Sequence, residues 1–60
     1  MIVTPADVGR ICVKRNNARR TCKILAVTVT PSGEVRVTLK DLLYGTEFTI
    51  TDTRTYAFAR

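Results

Sequence analysis

Apolar and polar residues alternate with a period of two along most of this chain, the spacing of half-buried β-strands rather than helices. The stretch that organises the pattern is Val8 to Leu25, VGRICVKRNNARRTCKIL, two alternating apolar runs separated by a short polar and basic segment. It predicts a β-hairpin. Its first strand runs from Arg10 to Arg15, with Ile11 and Val13 on one face and Cys12 and Lys14 on the other. Asn16 and Asn17 tolerate left-handed backbone geometry and so can turn the chain without glycine, and Ala18, Arg19 and Arg20 complete an exposed loop.

The remaining segments follow the same period. Met1 to Thr4 is β-prone but stopped by Pro5, which donates no ladder hydrogen bond, so it reads as an edge strand or an arm. Gly9 marks a turn or bulge. From Thr21 to Thr30 the second strand is rich in β-branched residues and apolar on both faces, which suits a strand that bends from one sheet to another. Thr30 to Glu34, TPSGE, carries Pro31 where a type I turn presets its first central position and Gly33 where a bulged hairpin needs a left-handed residue. Val35 to Lys40 is the third strand, with Val35, Val37 and Leu39 inward.

Asp41 to Gly45, DLLYG, breaks the alternation. It predicts a single helical turn capped by Asp41 and ended by Gly45, with Leu42, Leu43 and Tyr44 covering a barrel opening. Thr46 to Thr51 is a fourth strand with Phe48 and Ile50 inward. Asp52 to Arg54 is a tight turn of 3₁₀ type, and Thr55 to Ala59 is a last strand on which Tyr56 and Phe58 share a face. Five short strands without a long helix predict an all-β fold, a small antiparallel barrel with one or two helical turns.

Sixty residues make one domain, spanning 1–60, and a chain of this size buries only about 60% of the surface its unfolded form exposes. The hydrophobic share of 45% is spread along the chain, which argues against disorder and against a membrane span. No secretory signal pattern is evident at the N-terminus, and the expected location is the cytoplasm. Charge changes the picture more. Arg10, Lys14, Arg15, Arg19, Arg20 and Lys23 face a single acid, Asp7, in the first 23 residues, whereas beyond them basic and acidic residues balance. The whole net charge of +5 therefore sits on the opening hairpin and its approach, a concentration suited to a polyanion.

The residues Val8, Gly9, Arg10, Ile11, Val13, Lys14, Lys23 and Ile24 resemble the opening of KOW-type SH3-like barrels, in which a valine-glycine pair starts the first strand and a basic loop follows. Such domains occur in ribosomal large-subunit proteins and in the NusG transcription-factor family. That loop usually carries a glycine, and here Asn16 and Asn17 stand in its place. The resemblance implies a five-stranded antiparallel SH3-like barrel and RNA or ribonucleoprotein contact through Lys14, Arg15, Arg19 and Arg20. Binding of a protein partner is the other common use of the fold.

Catalysis finds little support. Histidine is absent and the five carboxylates stand singly, so no catalytic residue is assigned and the chain is expected not to be an enzyme. Cys12 and Cys22 are ten apart without further ligands, so no metal, no cofactor and no small-molecule substrate is expected; in a reducing compartment they are two small buried thiols. Phe48 and Phe58 are expected in the core, while Tyr44 and Tyr56 stay open as core or as stacking surfaces for bases. Two function classes remain. One is a nucleic-acid-binding module that lays Arg10, Lys14, Arg15, Arg19, Arg20 and Lys23 along RNA or DNA phosphates. The other is an adaptor or inhibitor, of the kind a phage or mobile element encodes, acting on an acidic protein partner. Seven of the ten basic residues are arginine, which suits bidentate capture of phosphate and carboxylate alike.

Overall fold

Period-two alternation yields strands where it predicts them. The computed structural model describes residues 1–59 and contains β1 (Ile11–Lys14), β2 (Asn17–Val29), β3 (Val35–Asp41), β4 (Glu47–Ile50) and β5 (Tyr56–Phe58). Two 3₁₀ turns, Pro5–Asp7 and Thr53–Thr55, are the helical elements among the described residues. All strands pair antiparallel in one sheet of order β4-β3-β2-β1-β5. The predicted closure into a barrel is not present. The turn at Thr53–Thr55 carries the chain across to β1 instead of back along β4, so β4 and β5 remain the two edges of an open sheet.

β2 is the spine. Its first half pairs with β1, with Cys12 opposite Cys22, and its second half pairs with β3, from Cys22 opposite Asp41 to Val29 opposite Val35. A register shift between Ile24 and Ala26 inserts Leu25 as an extra residue, bending the strand where it passes from one neighbour to the other. That bend explains the apolar groups on both of its faces. One face of the sheet buries Cys12, Cys22, Ile24, Val37, Leu39 and Tyr56, and the N-terminal segment adds Val3. Phe48, Ile50, Val27, Val35, Phe58 and Met1 close around this core, each half-buried. On β1 the buried side is therefore the Cys12 side, and Ile11 and Val13 lie on the outer one.

Local chemistry settles the clearest turn. Gly33 N–H donates to the Thr30 carbonyl at 2.9 Å, Thr30 N–H donates to the Glu34 carbonyl at 2.8 Å, and Gly33 sits at φ +87°, as TPSGE predicts. The N-terminal segment is an arm without strand pairing. Its amino group donates to the carbonyls of Thr53 (2.9 Å) and Tyr56 (3.2 Å), which seats Val3 on the core.

Two local expectations are corrected. The hairpin loop predicted over Asn16 to Arg20 shrinks to Arg15 and Asn16, since Lys14 already stands opposite Asn17 and Ala18, Arg19 and Arg20 belong to β2. No asparagine adopts a left-handed conformation; positive φ is confined to glycines among the described residues. A shift of register between Val13 and Lys14 absorbs the extra residues, and this lets Arg20 turn toward Asp41 at the far end of β3. The second correction concerns Asp41 to Gly45: the single turn is present, with Asp41 Oδ1 capping it, Gly45 N–H closing it onto the Asp41 carbonyl and Gly45 ending it at φ +76°, but its Leu42, Leu43 and Tyr44 are exposed and cover nothing. The sheet is open and leaves no barrel mouth for them to cover.

Cys12 and Cys22 face each other directly across β1 and β2, both free and both fully buried. Burial pushes the Cys12 thiol up to about 11, with Cys22 beside it adding to the effect, and burial chiefly raises Cys22 as well. The nucleophilic thiolate is thus scarce at neutral pH. A thiol-specific reagent is expected to modify both cysteines slowly in the folded protein and at once in denaturant, while reductant leaves the melting temperature unchanged. Cys12→Ala with Cys22→Ala should lower stability by roughly 1 to 3 kcal/mol through lost packing. A large fall in melting temperature on reduction would show a disulfide instead.

Candidate nucleic-acid interface

Opposite charges meet before any partner arrives. Arg10 Nη1 lies 3.0 Å from Asp7 Oδ1, and its guanidinium carbon stands 3.7 Å from the centre of the Phe58 ring, a cation–π contact that covers that ring. Asp7 is organised by the 3₁₀ turn, where its carboxylate accepts the Thr4 N–H at 2.8 Å; that bond, then Arg10, holds its pKa below the ordinary value. Arg36 pairs with Glu34 at 2.9 Å and Arg54 with Asp52 at 3.1 Å, both on the surface. Such exposed pairs add little to stability. What they do is remove charge from circulation.

Arg20 and Asp41 form the one ion pair with a fully buried end among the described residues. Arg20 Nε donates to Asp41 Oδ2 at 3.1 Å, with Arg20 41% exposed and the Asp41 side chain only 1%. The other oxygen, Oδ1, accepts the backbone N–H groups of Leu43 at 2.8 Å and Tyr44 at 3.0 Å. Every buried polar atom here is satisfied, the condition for keeping a carboxylate inside. The Tyr44 N–H is the strongest influence holding this carboxyl below its ordinary pKa; burial opposes it, and the Leu43 N–H and Arg20 reinforce it.

After these pairings the excess charge is easy to place. Four of the five acids are each bound to an arginine, and Glu47 alone is in no ion pair among the described residues. Among the described residues, the side-chain cations outside any ion pair are Lys14, Arg15, Arg19, Lys23 and Lys40. Arg15 follows β1 in the turn, where its N–H donates to the Thr55 carbonyl and its Nε to the Arg54 carbonyl, both at 2.9 Å, which fixes the stem of the side chain and spends no charge. Arg19 is exposed on β2, its N–H donating to Asn17 Oδ1. Lys23 and Lys40 stand directly opposite each other across β2 and β3, on the face away from the core. Like charges so placed repel, and a bound anion relieves that repulsion.

Of the six residues marked in the sequence, Lys14, Arg15, Arg19 and Lys23 thus carry uncompensated charge, whereas Arg10 and Arg20 are held by carboxylates. Arg20, expected to project freely into water, instead leans on the end of β3. Lys40 was invisible as a member of the set because only strand register brings it to Lys23. Among the described residues there is no pocket, and no group of three or more metal-ligating side chains. Comparison with family models, with curated proteins and with solved structures finds no match for this chain.

Proposed function

We propose that the chain is a small binding module of SH3-like build that holds nucleic-acid phosphates on Lys14, Arg15, Arg19, Lys23 and Lys40. The observation that carries this reading is the distribution of side-chain charge after internal pairing among the described residues: five cations, all on β1, β2, the turn joining them and the adjoining position of β3, against the single carboxylate Glu47. A solvated face kept only for solubility has no need to concentrate like charges in opposed register. The SH3-like reading, and with it the KOW-type resemblance, draws support from a long bent β2 shared by two halves of the sheet and from a last strand that returns beside the first. A protein partner with an acidic surface is the second reading, favoured by the exposed Leu42 and Leu43 next to the same charges.

Salt dependence separates the two. Each phosphate contact contributes just under one unit to the slope of log affinity against log salt, and its loss weakens all sequences alike. Arg19→Ala combined with Lys23→Ala removes side chains that hold nothing else in place, so folding stability should change by less than about 1 kcal/mol. Labelled oligonucleotides titrated at two salt concentrations should show weaker binding and a slope smaller by between one and two units for this variant. Absence of binding at low salt, or full retention by the variant, overturns the phosphate reading and leaves the protein partner ahead.

A further inference from the structure

The four aromatic side chains are not equivalent. Tyr56 is buried, Phe48 is packed against the core, and Phe58 lies under the Arg10 guanidinium. Tyr44 alone stands open, 71% exposed, on a turn whose neighbours Leu42 and Leu43 are exposed as well. We propose that the nucleic acid taken by this module is single-stranded and that one of its unpaired bases stacks on the Tyr44 ring. The inference rests on the phosphate reading above and adds to it the class of strand.

The turn is built to fix the backbone from which Tyr44 projects. Asp41 Oδ1 accepts the Leu43 and Tyr44 N–H groups, and Gly45 N–H donates to the Asp41 carbonyl at 2.7 Å. Asp41 N–H donates to Thr46 at 2.8 Å, and Leu42 N–H reaches across to the Thr21 carbonyl of β2 at 3.0 Å. Gly45 takes φ +76°, a conformation that a side chain would strain. These bonds satisfy the buried Asp41 carboxylate and at the same time order the backbone at Tyr44, so less freedom is left to lose when a base lands on the ring.

The same carboxylate places a cation at the turn that carries the ring. Asp41 Oδ2 takes Arg20 through Nε alone, and both terminal nitrogens of that half-exposed guanidinium make no hydrogen bond within the described residues. They remain available to a phosphate oxygen. Lys40 precedes Asp41 in the chain and faces Lys23, so the line of cations runs up to the turn. The backbone that carries Tyr44 and the guanidinium of Arg20 are therefore anchored to the two oxygens of one side chain. Only a strand whose bases are unstacked can use both, because a duplex keeps its base faces covered.

The test compares wild type with Tyr44→Leu, which keeps apolar bulk but has no π face, and with Tyr44→Phe, which keeps the ring. The probes are a short fluorescein-labelled oligothymidylate and the same strand annealed to its complement, at low salt. Wild type should prefer the single strand. Tyr44→Leu should lose at least about fivefold for the single strand and nothing for the duplex, with the salt slope unchanged, and Tyr44→Phe should bind like wild type. Equal binding of strand and duplex with no effect of Tyr44→Leu overturns the inference while the phosphate reading stands. An equal loss for both probes in Tyr44→Leu also overturns it, assigning Tyr44 to the architecture. If wild type binds neither probe, the phosphate reading fails first.

Discussion

Leu39→Ala is expected to leave most of the protein unfolded at room temperature. Leu39 is fully buried at the middle of β3, opposite Ile24 on β2 and Phe48 on β4, so it joins three strands in one apolar row. Truncating a buried leucine costs about 2 to 5 kcal/mol, the transfer of its methyl groups plus the cavity they leave. A core this small seldom provides more than about 3 to 5 kcal/mol in total. Leu39→Met, which keeps volume, should cost less than about 1.5 kcal/mol and retain the fold. Circular dichroism with urea titration checks both. A cooperative transition of unchanged midpoint in Leu39→Ala would show that the stability lies elsewhere, for instance in self-association.

Much of this fold is legible in the sequence because its rules are local. Period two marks each strand to within a few residues, and Pro31 with Gly33 specifies one turn by stereochemistry alone. Where sequence reading fails, the deciding partner is distant. Nothing near Asn16 to Arg20 announces that these residues extend a strand, since the contact that draws Arg20 inward lies 21 positions away at Asp41. Leu42, Leu43 and Tyr44 look like core on hydrophobicity, yet a carboxylate at the end of β3 bends their backbone outward. The Cys12–Cys22 pair, by contrast, could be anticipated from two strands joined by a short turn.

The candidate site follows the same division. Charge asymmetry between the opening 23 residues and the rest is visible at once, and it carries the phosphate reading. Which cations are neutralised depends on pairings that only folding creates: Arg10 with Asp7 is three residues apart and readable, whereas Arg20 with Asp41 and Lys23 beside Lys40 need the register of β2 and β3. Composition thus identifies the kind of partner, and topology selects the residues that meet it.

Asp41 is where stability and the proposed site are joined, and its substitution and its titration make one prediction. Asp41→Ala leaves the Leu43 and Tyr44 N–H groups and the Arg20 guanidinium without their acceptor, and the melting temperature should fall by on the order of 10 °C or more. Asp41→Asn retains an acceptor oxygen for the two N–H groups but loses the charge that holds Arg20, so its loss should be smaller. The pH dependence has a definite sign. The folded carboxyl titrates below its ordinary value of 3.8, chiefly through the Tyr44 N–H, so the folded state binds fewer protons there than the unfolded chain. Its contribution is complete above that value and is lost as pH falls through the folded pKa. Asp7 and Asp52 are lowered too, by the Thr4 N–H and by Arg54 respectively, so wild type and Asp41→Asn should both weaken in acid. The gap between them should nevertheless close as pH drops below 3.8, because protonated Asp41 resembles asparagine. Urea midpoints of the two proteins measured from neutral pH into this range would show it, and a gap that stays constant would mean that the charge on Asp41 does not stabilise the fold.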